Sequence, residues 1–372
     1  MTGLILDLAR SWWEWCGAVS AQTAVLFAVV AVLDRLLRPW VGPKLLSALW
    51  LLVIVKLLVP PTLGSPLSLS NLWEDAALLV VPLPAMGAPD GGAALFAWLL
   101  GCVAFGAACL WRWRGMRREW LGEASEPVPD ALAASCREAA VRLGLKRPPE
   151  VRVGRSVAGP AVVGFVRPLV VLPARLVGTS SCEEIEHVLL HEFAHIKRRD
   201  PLLQLFGLIA QIVFWFHPCV WLARRRLSEL AEHCCDQAVA AALGGATAGY
   251  RRTLLRAARP MLAPRAFGSR AFGSLGFFRR RSQLLVRIER LDRLERGRVK
   301  VTRPLLRRTA ASGLCSLVLV TCVPLAQPRA GEAEPFPLSI ESLRGCLQLR
   351  YAVHAALARQ RIDPDANQPP NI

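Results

Sequence analysis

The sequence predicts an α-helical membrane protein with four transmembrane helices and an α+β domain inserted between the third and the fourth. Three observations carry this expectation. First, 53% of the 372 residues are hydrophobic and the mean hydropathy is positive, +0.35, which is more apolar than an ordinary soluble enzyme. Second, the apolar residues gather into four runs at about 16–33, 42–59, 92–110 and 309–326, each close to the roughly 20 residues that cross a bilayer as a helix. Third, the net charge of +18 is confined to one block: Trp111 to Arg308 holds 36 Lys+Arg against 17 Asp+Glu, and the remainder holds 10 against 11.

The first run follows Trp12, Trp13 and Trp15, side chains suited to a membrane interface. A cleaved leader is the competing reading and is not expected: the run starts late, its flank is acidic as well as basic, and Asp34-Arg35 stands where small residues would mark a cleavage site. Arg35, Arg38 and Lys44 make the next loop basic. The second run ends at Pro60-Pro61, with Lys56 near enough to its end to reach the headgroups. The 60–90 loop has no Lys or Arg but has Glu74, Asp75 and Asp90. The third run stops at Trp111-Arg112-Trp113-Arg114, and the fourth follows Arg303, Arg307 and Arg308. Positive charge marks the inner side of a membrane. The 35–44 loop and the 111–308 block are therefore expected inside, and the N-terminus, the 60–90 loop and the tail at 327–372 outside. In a bacterium this makes a multi-pass inner-membrane protein with a cytoplasmic central block.

The block reads as a compact domain. Asp130 can cap a helix running to about Leu143, with Leu132, Cys136, Ala139 and Leu143 on one stripe. Val151–Val153 alternates as a strand. Gly159–Val166 and Pro168–Pro173 read as two more, bounded by Gly and Pro. Proline keeps one of these at a sheet edge, and the stretch Ala161, Val162, Val163 offers an edge to which an extended peptide can add. A purely structural hairpin fits the same residues. Ser180 and Ser181 stand three residues before Glu183 and Glu184, a capping-box start. The helix that follows carries Ile185, Val188 and Leu189 on its apolar side, and Pro201 helps to stop or bend it.

That helix holds His191-Glu192-Phe193-Ala194-His195. Residues four apart share one helix face, so the two imidazoles aim at one point. Glu192 lies about 100° around the axis, beside that point. This is the pattern of a zinc site in which two His hold Zn²⁺ and the Glu is a general base. A third protein ligand is needed, often a later Glu. Ser228–Asp236 supplies two candidates, Glu229 and Glu232, with Asp236 able to orient a ligand His. The apolar run 201–223 lies between these pieces. Were it to cross the membrane once, Glu232 and His195 would face opposite sides, so it must re-enter, stay interfacial or be buried in the domain. His187, His217 and His233 read as structural. The eleven Cys are scattered and lack paired metal-binding spacing, so they read as small apolar residues.

The chain is similar to the BlaR/MecR-type membrane metallopeptidases, an antirepressor family that senses beta-lactams in some bacteria. The resemblance rests on Gly159–Gly164 with Arg167–Pro173, on His191–Asp200, on Phe214–Trp221 and on Glu232–Asp236, and with the upstream runs it covers roughly residues 1–308. It implies a gluzincin-type domain with His191, His195 and Glu232 on zinc, and it selects Glu232 over Glu229. It also implies a substrate that is the chain itself, a cytoplasmic transcriptional repressor, or both. The family's beta-lactam sensors carry a penicillin-binding domain after the last span. No S-x-x-K motif follows Ala326 here, so beta-lactam sensing is not expected. An Arg-rich stretch at 264–308 reads as a membrane-hugging linker, and the resemblance adds self-cleavage near Ser274–Phe278 as a sharper alternative.

Several functions compete. The first is a membrane-anchored zinc endopeptidase in a signalling pathway. The second is a receptor or scaffold with a structural zinc site, for which Glu192 would have no use as a base. A transporter is disfavoured because the four runs hold almost no charge beyond Lys56. Direct nucleic-acid binding would rest on the basic block alone and is not expected. Membrane lipid and a protein substrate are the expected partners, and an oligomer stays open.

Overall fold

The computed structural model describes residues 2–58, 91–121, 128–155, 157, 159–262 and 281–296. The fourth expected span, the 60–90 loop, the tail from 327 and the candidate cleavage stretch 274–278 lie outside the described residues.

In chain order the helices and strands are α1 (Thr2–Leu37), α2 (Pro43–Leu58), α3 (Gly91–Leu121), α4 (Asp130–Arg142), β1 (Glu150–Gly154), β2 (Ala161–Val163), β3 (Leu169–Pro173), α5 (Ala174–Thr179), α6 (Cys182–Lys197), α7 (Asp200–Val213), α8 (Pro218–Ala242), α9 (Ala248–Leu262) and α10 (Arg281–Glu295). The protein is thus mostly helical with one small sheet.

Two of the described helices are long and apolar enough to cross a membrane, over Leu6–Leu37 and Gly92–Trp120. The α3 helix does not stop at the Trp-Arg cluster but runs on to Leu121. With 16 residues α2 is shorter, about 24 Å at 1.5 Å per residue, against a hydrocarbon core of about 30 Å. Its Leu46, Leu49, Val53 and Ile54 are buried together with Val19, Leu26 and Val30 of α1 and Val220, Ala223 and Leu230 of α8.

The apolar run 201–223 folds as a helical hairpin. The α7 helix ends at Val213, the chain turns through Phe214–His217, and α8 returns. Phe214 and His217 of this turn are buried while Trp215 and Phe216 are exposed, and its backbone groups find partners inside the protein. The carbonyl of Val213 accepts from Trp98 Nε1 at 2.8 Å, and that of Trp215 accepts from Trp221 Nε1 at 2.9 Å. His217 accepts from the Cys219 amide through Nδ1, so Nε2 holds the proton and donates to the Ser20 carbonyl at 3.1 Å. Gly101 of α3 lets the Trp215 indole approach, because a Cβ there would stand 2.5 Å from the ring. The turn therefore sits beside Ser20 and Gly101, near the middle of α1 and α3.

The sheet has the order β1-β3-β2, with β1 parallel and β2 antiparallel to β3. Ala161 pairs with Val171 and Val163 with Leu169. Ala161–Val163 is an edge strand, packed against α6. Val170 and Leu172 join Leu189, Leu190 and Phe193 of α6 and Val239 of α8 in the main core. Two local expectations are corrected. Asp130 does not cap α4: Pro129 occupies the cap position and Asp130 is the first helical residue, where its charge suits the positive helix end. Pro201 does not stop α6 but sits in the first turn of α7, where a missing N–H costs nothing. The break comes earlier, at Arg199, whose φ of 58° is left-handed.

Candidate metal centre

The α6 helix begins with the capping box that its sequence predicts. The Glu184 amide donates to Ser181 Oγ at 3.2 Å, and the Ser181 amide donates to Glu184 Oε2 at 3.1 Å. Two turns on, His191, Glu192 and His195 are all buried, with exposures of 0%, 0% and 1%. The two rings meet edge-on with centroids 4.9 Å apart.

From α8, Glu232 closes the group. Its Oε2 lies 3.4 Å from His191 Nε2 and its Oε1 lies 3.6 Å from His195 Nε2. One ligand atom from each of the three residues falls within 4.8 Å of the others. Glu229, the other candidate, pairs instead with Arg225 and Arg226. His187 bonds to Thr253 Oγ1 at 2.9 Å, and His217 holds the α7–α8 turn.

The hydrogen bonds behind the imidazoles fix where their protons lie. Asp200 Oδ2 stands 2.8 Å from His195 Nδ1. Burial pushes the Asp200 carboxyl up, but the His195 hydrogen bond and Arg198 pull it further down, below the usual range. An ionised carboxylate only accepts, so Nδ1 carries a proton, and in the neutral ring Nε2 presents the lone pair. Behind His191 the wiring is longer. Arg287 donates to both oxygens of Asp236, from Nε at 2.8 Å and from Nη2 at 2.6 Å, and Tyr250 donates to Asp236 Oδ1 at 2.8 Å. The Tyr250 oxygen is then left to accept from His191 Nδ1, also at 2.8 Å. Nε2 of His191 again presents a lone pair. Burial, then the Arg287 charge, lowers the His191 pKa to about 3, so the ring is neutral.

With both Nε2 atoms bare and Glu232 ionised, three acceptors would face one another, and burial already raises the Glu232 pKa. Acceptors repel acceptors, and this arrangement fits a cation in their midst. Glu192 gives the same sign: both its oxygens are buried with no hydrogen-bond donor. Burial, then the charge of Glu232, pushes its carboxyl well above the ordinary range, and a neighbouring cation would offset both causes. Nitrogen and oxygen donors of this kind suit zinc. A second group, His195, Asp200 and Cys235, also lies within 4.8 Å. It fits a metal less well, because the His195 Nδ1 proton already lies in it and burial, then Asp200, holds the Cys235 thiol protonated.

Asp236 does reach a ligand His, but through Tyr250: its Oδ1 is 3.6 Å from His191 Nδ1. Sequence reasoning gave no role to Asp200, Tyr250 or Arg287. Asp200 had a signal, a carboxylate five residues after His195. Tyr250 is 59 residues from His191, and Arg287 is 51 from Asp236, and neither carries a local signal. Arg287, only 3% exposed, also holds Glu232 Oε2 at 2.9 Å, the same oxygen that lies 3.4 Å from His191 Nε2.

Residues 92–274 match the family described as BlaR1 peptidase M56. The methicillin resistance protein MecR1 of Staphylococcus aureus is 31% identical over 84 residues, which are 23% of this chain and 14% of that protein. The regulatory protein BlaR1 of Bacillus licheniformis is 37% identical over 83 residues, 22% of this chain and 14% of its own length. The matched stretch is therefore a small part of those relatives. Over it this chain is homologous to them, and a peptidase role for the region is supported.

Proposed function

We propose that this chain, which carries a BlaR1 peptidase M56 domain at residues 92–274, is a membrane-anchored zinc endopeptidase of a signal-transduction pathway. The carrying observation is the convergence of two imidazole lone pairs and the Glu232 carboxylate on one point, beside a buried Glu192. His191, His195 and Glu232 hold Zn²⁺. When bound, zinc supplies Lewis-acid chemistry, polarising a carbonyl and acidifying water. Glu192 takes a proton from the attacking water and passes it to the leaving amine. Asp200 and Tyr250 keep both imidazoles in the tautomer that exposes Nε2, and Asp236 with Arg287 fixes Tyr250 and Glu232. The edge strand Ala161, Val162, Val163 holds the substrate as an added strand; its edge position and its packing against α6 support this. The substrate is a cytoplasmic repressor, the chain itself, or both.

The domain faces the cytoplasm of a bacterium, between spans at 16–33, 42–59, 92–110 and 309–326. The α7–α8 hairpin is re-entrant. It dips to the level of Gly101 and comes back, which keeps His195 and Glu232 on one side. The charge distribution and the two long apolar helices support this topology.

Proteolysis by the full chain and by Glu192→Gln, with metal content measured on both, tests the function. The expected result is equal zinc and cleavage slower by about 10²- to 10⁴-fold in the variant, the usual contribution of a general base. Equal zinc with no cleavage of the chain or of candidate repressors by either form would point to a scaffold with a structural metal instead.

A further inference from the structure

A cavity of about 1620 Å³ opens between α2, α3, α7, α8 and α10 and reaches Glu232. Its lining is divided by chemistry. One part is apolar and lies along the helices read as membrane-embedded, with Leu51, Phe105, Leu208 and Leu222. The other part is basic and lies at the cytoplasmic end, with Arg38, Lys44, Arg226 and Arg290. Asp34, 3% exposed, serves both Arg38 at 3.1 Å and Arg226 at 2.9 Å, and Glu229 also holds Arg226 at 3.0 Å. Arg290 has no ion pair among the described residues. Burial, then the charges of Arg226 and Arg38, lowers its pKa below the usual arginine value, which records cations crowded on cations. His233 lines the same cavity, is 8% exposed, and has an Nδ1 without a hydrogen-bond partner. A cationic, hydrogen-bonding end joined to an apolar channel has the complementary shape and charge of an anionic amphiphile.

We propose that this cavity binds an anionic phospholipid of the inner leaflet, its headgroup phosphate among Lys44, Arg290 and His233 and an acyl chain along Leu51, Phe105 and Leu222. The headgroup then lies next to Glu232, which places the metal centre under the influence of membrane composition. The inference rests on the membrane reading proposed above, although lipid binding is measured without reference to peptidase activity.

Native mass spectrometry of the full chain in detergent, titrated with phosphatidylglycerol and with phosphatidylcholine, tests it. The wild type binds phosphatidylglycerol more tightly. In Lys44→Ala/Arg290→Ala that preference falls roughly 30-fold, the combined effect of two surface cations. A charge-matched control, Arg137→Ala/Arg175→Ala, at two exposed positions away from the cavity, keeps it. Equal affinity for the two lipids overturns the proposal, as does an equal loss in control and test variants. Absence of any lipid adduct overturns it too, and would mean that the chain's own 309–326 run fills the apolar part. Displacement of phosphatidylglycerol by millimolar inorganic phosphate, or tighter binding of a soluble glutamate peptide, would assign the basic end to a different ligand. Zinc content and Glu192-dependent cleavage on the same preparation report separately on the peptidase. Retained zinc and cleavage without lipid preference would sink the lipid site alone.

Discussion

The first half of α8 packs among α1, α2 and α7, with Val220, Ala223 and Leu230 buried there. The second half packs in the domain core, with Cys235, Val239 and Ala240 against α4, α6, α9 and α10. Each half also holds a charged pair built on a buried carboxylate. In the first, Arg226 bonds Asp34 of α1, from Nε at 2.9 Å and from Nη2 at 3.2 Å. In the second, Asp236 bonds Arg287 and Tyr250. Glu232 stands between the two halves. The two pairs differ in exposure. Both arginines border the cavity, but Arg226 is 17% exposed on its side chain whereas Arg287 is 3% exposed. One helix thus ties the apolar helix cluster to the core that holds the sheet, and it carries the third candidate ligand where the two meet. Movement of either half would be felt at Glu232.

The largest effect is expected where the more buried pair is broken. Arg287→Met leaves the buried Asp236 carboxylate with no cation, which costs about 3–5 kcal/mol. Thermal unfolding of the full chain in detergent should show it, together with weaker zinc retention. A loss no larger than that of Arg226→Met would mean that the two pairs are equivalent, and the contrast drawn here would fail.

Matched truncations in the two cores come next. Leu189 is 0% exposed in the domain core and Leu49 is 1% exposed in the helix cluster. Leu189→Ala should cost about 2–5 kcal/mol. Leu49→Ala should cost less when the chain is in a bilayer, because lipid tails are as apolar as leucine and provide little drive for helix association. Equal losses in lipid nanodiscs would argue that the helix cluster is an aqueous core.

A smaller change probes the ligand wiring. Asp200→Asn keeps the shape but removes the charge behind His195, and zinc affinity should fall about 10- to 100-fold. Competition with a chelator reads this directly, and unchanged affinity would sink the orienting role of Asp200. The smallest effect should come from the start of α6. Ser181→Ala removes half of the capping box and should cost about 1 kcal/mol, with zinc stoichiometry unchanged. A drop in zinc would show that the site depends on the register of the first turn.

Much of the site was legible because its parts are local. The 191–195 spacing is set by helix geometry, and Ser181–Glu184 is a cap whose partners lie three residues apart. The strands at 161–163 and 169–173 were bounded by Gly and Pro, whose backbone limits do not depend on context. Helix ends were less legible. Asp130 looked like a cap and Pro201 looked like a stop, because either residue suits more than one position in a helix's first turn. The left-handed Arg199 between α6 and α7 had no sequence mark at all, yet it delivers Asp200 to His195.

The sequence by itself determined that two histidines and a glutamate share a helix, that a later helix offers carboxylates, and that positive charge is confined to the central block. These follow from residue spacing and from composition. The residues alone left Glu229 and Glu232 open until the family resemblance chose Glu232; only the tertiary structure decided that Asp200, Tyr250 and Arg287 back the candidate ligands and that the 201–223 run turns back on itself. Each of these depends on which helix faces cross and at what height, and this is set by packing between segments far apart in the chain.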